Sequence, residues 1–187
     1  MGNRLSKIYT RTGDNGSTGM ADGSRVAKDD LLVQAIGEVD ELNSQLAIVA
    51  CHLPDSLLPA IRSIQNELFN IGGELTMGEQ MPAETTMHPE TVAQLEQWLD
   101  ELNRNLPPLK EFILPGGGLA ASHTHLARAI CRRAERSLVA LNKTRPLNVQ
   151  LMAYINRLSD YLFVLAREAG RLAGEGEVFW QSRKNSE

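Results

Sequence analysis

Five stretches of this chain repeat apolar residues at intervals of three and four, and alternation of apolar with polar residues is nearly absent. That pattern constrains the fold most, because a period near 3.6 gives a helix with one buried face, whereas a half-buried strand needs a period of two. The first stripe is Leu32, Ala35, Ile36, Val39, Leu42, Leu46 and Val49, with Asp29 or Asp30 placed to cap its start and Pro54 beyond its end. A second stripe, Leu57, Ile61, Ile64, Leu68 and Ile71, is expected to stop at Gly72-Gly73. A third, Val92, Leu95, Leu99 and Leu102, ends at Pro107-Pro108, and a fourth runs from Leu119 to Leu141. After Pro146, Leu151, Ile155, Leu158, Leu162, Leu165 and Ala169 predict a helix over 147–173, about 40 Å long. The expected fold is all-α, an antiparallel five-helix bundle joined by short connections.

The remaining segments are irregular. Residues 10–19 are rich in Gly and hydroxyl side chains and read as loop, neither helix nor strand. Residues 76–88 read as a surface loop, Phe112–Gly118 as punctuation before the fourth helix, and 174 onward as a polar tail except for Phe179 and Trp180. With 187 residues, one domain is expected: an N-terminal segment 1–28, a bundle 29–173 and a tail 174–187.

A net charge of −4 and 5% aromatic residues speak against a nucleic-acid binder, which would need a basic surface and stacking rings. Two cysteines, Cys51 and Cys131, make no disulfide framework, no apolar run is long enough to span a membrane, and the first residues lack a secretory signal's apolar core. A cytoplasmic location is expected.

Chemistry-bearing residues fall in a few places. The fourth helix carries Arg128, Arg132, Arg133, Glu135 and Arg136, with Arg128 and Arg132 four apart on one face. Four arginines against one carboxylate fit either a solvated helix face or an anion site, since guanidinium forks suit bidentate phosphate contacts. The Gly-rich segment offers close backbone approach to an anion, Thr10, Thr12, Ser17 and Thr18 offer hydroxyls, and Lys28 offers charge, but no Gly-Lys-Ser/Thr phosphate loop is present. Asn156, Arg157 and Asp160 interrupt the fifth stripe, either as a buried polar network or as part of a site. Asp40 lies at the edge of the first stripe and needs a cationic partner, for which an Arg on a neighbouring helix is the obvious candidate. His123 and His125, two apart, point about 200° apart on a helix and are poorly placed to share a metal.

Taken together, four blocks resemble the PduO-type ATP:cob(I)alamin adenosyltransferases. They are Tyr9-Thr10-Arg11-Thr12-Gly13-Asp14-Asn15-Gly16 continuing to Lys28-Asp29-Asp30, then Val39-Asp40-Glu41-Leu42-Asn43-Ser44. The third runs from Phe112-Ile113-Leu114-Pro115-Gly116-Gly117 into the arginine helix, and the fourth is Asn156-Arg157-Leu158-Ser159-Asp160-Tyr161-Leu162-Phe163. The resemblance covers residues 7 to 167 in the family's order. After Gly16 the sequence departs from the usual hydroxyl-rich stretch, with Ser17-Thr18-Gly19-Met20 followed by Ala21-Asp22-Gly23-Ser24.

The resemblance implies a homotrimer with sites at subunit interfaces, ATP lying between the N-terminal segment of one subunit and the arginine helix of its neighbour. Thr10, Arg11, Thr12 and Gly13 would contact ATP, as would Thr18, Gly19 and Lys28. From the helices, Arg132, Arg133, Glu135, Arg136 and Asn156 would do the same. Asp40 and Arg128 would form a salt bridge building the interface and the site, and Phe112 would lie against the lower face of the corrin. The implied reaction moves the 5′-deoxyadenosyl group of ATP to the cobalt of cob(I)alamin and releases triphosphate, with Mg²⁺ expected through the ATP phosphates. An apolar group below the cobalt would favour four-coordinate cob(II)alamin, which is easier to reduce. A reductase and an adenosylcobalamin-dependent enzyme are the implied partners. The alternatives are another ATP-using enzyme, such as a phosphotransferase, and a non-catalytic, ATP-gated bundle that binds and delivers cobalamin.

Overall fold

A computed structural model describes residues 9–183. Residues 1–8 of the expected N-terminal segment and 184–187 of the expected tail lie outside the described residues. Five helices carry the fold: α1 (Leu31–Ala50), α2 (Leu58–Met77), α3 (Pro89–Asn103), α4 (Gly118–Asn142) and α5 (Val149–Leu172). None is long and apolar enough to cross a membrane.

Cross-helix contacts define the directions. Gln34 faces Ser137 and Gln45 faces His123, so α1 and α4 run oppositely. Cys131 meets Ile155, and Gly117 meets Gly170, so α4 and α5 also run oppositely. Asn43 and Gln65 exchange side-chain-to-carbonyl hydrogen bonds of 3.0 and 3.2 Å across α1 and α2. Asn148 reaches Met87 and Arg157 reaches Glu96, a constant offset that makes α3 and α5 parallel. Gly78 at the end of α2 lies against Arg145, just before α5, so α2 runs opposite to α5 and successive helices alternate in direction, as expected for an up-and-down bundle. The core lies along their shared axis and includes Leu42, Leu46, Ile64, Leu68, Leu138 and Leu158, all essentially inaccessible.

Start signals act where the stripes begin. The Asp30 carboxylate accepts from the Leu32 amide at 2.8 Å and Asn148 accepts from Gln150 at 2.9 Å, each satisfying a free N–H of the first turn. The expected stop at Gly72-Gly73 is not obeyed: α2 runs on to Met77. A glycine in a helix costs about 1 kcal/mol relative to Ala, but Leu68, Ile71 and Leu75 remain on one buried stripe and carry the helix through. Residues 76–88 are likewise more ordered than a plain surface loop. They hold the end of α2 and two 3-10 turns, and Met87 is buried, its amide donating to Glu74 and its carbonyl accepting from Asn148.

The N-terminal segment corrects another expectation. Within the stretch read as loop, β1 (Ser17–Gly19) pairs antiparallel with β2 (Arg25–Ala27), with Thr18 opposite Val26. The turn is closed by Asp22, which accepts from the Ser24 amide and hydroxyl, and by Gly23 at φ +84°. Three-residue strands are too short to show a period of two. Residues 174–183 of the tail are also structured. α5 ends on Gly174 at φ +73°, with Gly174 donating to the Arg171 carbonyl and Glu175 to that of Gly170, the paired bonds of a left-handed helix end. The chain then folds back, and Phe179 bridges antiparallel to Ile113.

Candidate active site

The arginines of α4 divide by what they touch. Arg133 pairs with Glu41 of α1 and is committed to an interhelical contact within the chain. Arg136 donates to the Arg132 carbonyl at 3.0 Å, one turn back. Arg132 is exposed, and its guanidinium has no ion-pair partner among the described residues. Arg128 is half-buried, with its guanidinium over the Phe163 ring at 6.0 Å and its Nε buried without an acceptor. Glu135, half-buried, shares this region. With Arg132 and with Asp160 of α5 it is a charged neighbour of Cys131, whose thiol is pushed up chiefly by burial. Cys131 is thus a neutral packing residue, its Sγ 3.3 Å from the Ile155 carbonyl.

On α5, Asn156 and Asp160 are exposed, so this patch is not a buried network. Arg157 ties it to α3 through Glu96 at 2.9 Å and spans to Asp160 at 3.4 Å. Asn156 makes no side-chain hydrogen bond among the described residues.

The N-terminal segment forms a separate polar cradle. Arg25 holds it, donating to the Thr12 carbonyl at 2.6 Å and to the Ser17 hydroxyl at 2.7 Å. Lys28 donates its backbone N–H to the Gly16 carbonyl, and its ammonium lies over Gly13, where an added Cβ would come within 3.3 Å of Nζ and 3.0 Å of the Ser17 carbonyl. Gly13 is required here by close approach. Thr10 and Thr12 share a hydroxyl hydrogen bond, Arg11 has φ +60° and covers the Tyr9 ring, and Thr18 and Gly19 lie on β1. Hydroxyl, guanidinium and ammonium groups are therefore gathered in one exposed loop. No hydrogen bond or ion pair among the described residues joins this cradle to the arginines of α4.

Phe112 is 78% exposed, which leaves no room for the reading that it packs in the core. Its ring meets the edge of Trp180 at 6.4 Å between centroids. With Leu109, Lys110, Glu111 and Phe163 it lines an open cavity of about 360 Å³. Phe163 is thus shared, facing the cavity and packing under Arg128. Asp40 is exposed on α1, and it and Arg128 are not paired within the chain. Among the described residues, no group of three or more His, Cys, Asp or Glu side chains could hold a metal ion.

A family model described as cobalamin adenosyltransferase matches residues 8–169. The chain belongs to that family. A cobalamin adenosyltransferase of Cupriavidus metallidurans is 50% identical over 188 residues, spanning all of both chains. A corrinoid adenosyltransferase of Bacillus subtilis is 41% identical over 94% of this chain and 92% of its own. Among solved structures, a variant PduO-type ATP:corrinoid adenosyltransferase from Lactobacillus reuteri, complexed with cobalamin and ATP, has a TM-score of 0.88 at 35% identity, covering 94% of this chain and 100% of that one. The PduO-type resemblance and the helical fold it implies both hold.

Sequence reasoning overlooked Arg25, Phe163 and Trp180 as site-forming residues. Arg25 stands in a polar stretch without period. Phe163 stands inside a matched block, but with Tyr154 and Tyr161 on the same helix its ring carries no distinguishing signal. Trp180 acquires its place only when the tail folds back.

Proposed function

We propose that this chain transfers the 5′-deoxyadenosyl group of ATP to the cobalt of cob(I)alamin. The Co–C bond forms as the C5′–O bond breaks, and the bond's electron pair leaves with triphosphate. The chain need supply neither nucleophile nor base. Its task is to hold the ribose carbon in line and to stabilise charge gathering on the departing phosphates. The observation that carries this reading is the shared Phe163 ring, which joins the half-buried Arg128 to the apolar cavity lined by Phe112.

In this reading Arg132 and Arg136, with Lys28, donate to the triphosphate, and Asn156 and Glu135 orient the nucleotide. Thr10, Arg11, Thr12, Gly13, Thr18 and Gly19 contact it from the N-terminal cradle. Arg133 serves ATP indirectly, by bracing α4 against Glu41. Mg²⁺ is carried mainly by the phosphates themselves. Phe112, apolar and exposed, lies against the lower corrin face. The buried Arg128 Nε without an acceptor among the described residues supports an assembly, a homotrimer in this reading, in which neighbouring subunits complete each site and Asp40 pairs with Arg128 across the interface. A cytoplasmic setting, with a reductase upstream and an adenosylcobalamin-dependent enzyme downstream, completes the proposal.

The test is an anaerobic assay with ATP, Mg²⁺ and chemically reduced cob(I)alamin, following the corrinoid spectrum and identifying the phosphate product. Adenosylcobalamin with triphosphate is expected. ADP as product would mark a phosphotransferase. ATP and cobalamin binding without turnover, in folded protein, would favour a delivery role.

A further inference from the structure

We propose that Arg167 is a positioning residue for Phe112, acting through the segment that follows α5; this rests on the placement of Phe112 against the corrinoid made above. The Arg167 side chain is 4% exposed. A buried guanidinium is stable only when its N–H groups are answered. Two groups answer it: the Glu177 carboxylate accepts from Nε at 2.6 Å, and the Pro107 carbonyl accepts from Nη2 at 2.7 Å. These acceptors lie on different segments, the returning tail and the connection between α3 and α4.

Both segments run directly into the ribbon that carries Phe112. The Leu114 amide donates to the Val178 carbonyl at 2.8 Å, and the Trp180 amide donates to the Phe112 carbonyl at 2.7 Å. Among the described residues these are the only backbone-to-backbone hydrogen bonds made by residues 107–114. A two-stranded ribbon is marginal alone in water, and this one is a single bridge. Hydrogen bonds to charged groups are roughly twice as strong as neutral ones. Arg167 therefore supplies the firmest tie between the two strands and α5, and it sets where the ribbon holds the Phe112 backbone and the Trp180 edge beside it.

The test uses Arg167→Met and Glu177→Ala in the full chain. Glu177 is partly exposed and lies outside the bundle, so its variant keeps the proposal testable if the first fails to fold. Adenosylation is measured from cob(II)alamin with reduced flavin as the one-electron donor, and separately from preformed cob(I)alamin. Four-coordinate cob(II)alamin is read by absorption and electron paramagnetic resonance with ATP bound. We expect the rate from cob(II)alamin to fall at least about tenfold, the equivalent of one lost charge-assisted hydrogen bond. The four-coordinate signal should fall with it, while ATP affinity and the rate from cob(I)alamin stay near wild type. Glu177→Gln, which keeps an acceptor, should recover part of the loss. An unchanged four-coordinate signal, or equal losses from both corrinoid states, would overturn the positioning role. Phe112→Ala run alongside separates the two ideas. If it behaves as wild type from cob(II)alamin, the placement of Phe112 fails; if only it loses activity, the Arg167 role alone fails.

Discussion

Arg128 lies with its guanidinium carbon 6.0 Å from the centre of the Phe163 ring, and its Nε is buried with no acceptor among the described residues. A ring face attracts the cation but accepts no in-plane N–H, so a buried donor is left at a cost of about 1–3 kcal/mol. A carboxylate from outside the chain would remove that cost, and Asp40, exposed and unpaired on α1, is the candidate. Asp40→Ala and Arg128→Ala should each shift the assembly towards smaller species in sedimentation equilibrium and reduce turnover. The Asp40→Arg, Arg128→Asp double variant should recover assembly. If the wild-type chain assembles and both single variants keep its sedimentation mass, the pair is excluded.

Arg132 is exposed, and its guanidinium makes no ion pair or hydrogen bond among the described residues. Arg132→Ala should change stability by no more than about 0.5 kcal/mol, the range for surface substitutions. Loss of charged hydrogen bonds at about 1.5–3 kcal/mol each should cut turnover by one to two orders of magnitude or more. Arg132→Lys keeps the charge without the fork and should fall between. Denaturant titration beside steady-state kinetics checks both halves, and near-wild-type turnover in the alanine variant would remove the leaving-group role.

Arg25 tests the cradle. Its guanidinium spans the Thr12 carbonyl and the Ser17 hydroxyl and holds the two sides of the loop together. Arg25→Ala should raise KM for ATP while leaving the bundle's unfolding midpoint unchanged, because the residue lies outside the helical core. A shift in midpoint with unchanged KM would make Arg25 a stability residue only.

The helices were legible because each buries one continuous stripe, and packing rather than local punctuation decides where such stripes stop. That is why Gly72-Gly73 misled at α2 while Pro107-Pro108 did not: glycine is a modest penalty, whereas proline removes a donor and clashes. The arginine run and Phe112 were recognisable as a pattern of blocks. Their separate fates were not, because Arg133 meeting Glu41 depends on the α1–α4 register and Phe112 facing a cavity depends on the returning tail. A ribbon formed by one bridge and two hydrogen bonds leaves no period to read.

His125 should make stability fall in mild acid. It is buried, its Nδ1 has no partner among the described residues, and burial followed by the nearby Arg128 charge holds its pKa below the ordinary 6.5. The unfolded chain takes up a proton near 6.5 and the folded chain resists it. This contribution is therefore complete above 6.5 and is lost as pH falls from there towards the folded value. Urea midpoints at about pH 7.5 and about pH 5.5 should drop more in wild type than in His125→Gln. Equal drops would assign the acid sensitivity elsewhere.

Two glycines should respond oppositely to alanine. Gly117 opens α4 at φ +91°, and an added Cβ would lie 3.2 Å from the Ala121 Cβ and 3.4 Å from the Gly170 Cα. Left-handed strain of about 1–3 kcal/mol then adds to a contact that neither packed neighbour can easily relieve. Gly37, inside α1, has ordinary helical geometry and nothing within 4 Å of an added Cβ. Gly37→Ala should stabilise the chain by about 0.5–1 kcal/mol by lowering the entropy of the unfolded state. Because Gly117 leads from the Phe112 ribbon into the arginine helix, Gly117→Ala should also lower turnover in protein that remains folded. Gly37 lies one turn from Asp40 on the exposed face of α1, so Gly37→Ala is read for stability, and turnover carries the contrast only at Gly117. Paired denaturation and activity measurements check the contrast, and a neutral Gly117→Ala would show that α4 can begin without the left-handed turn.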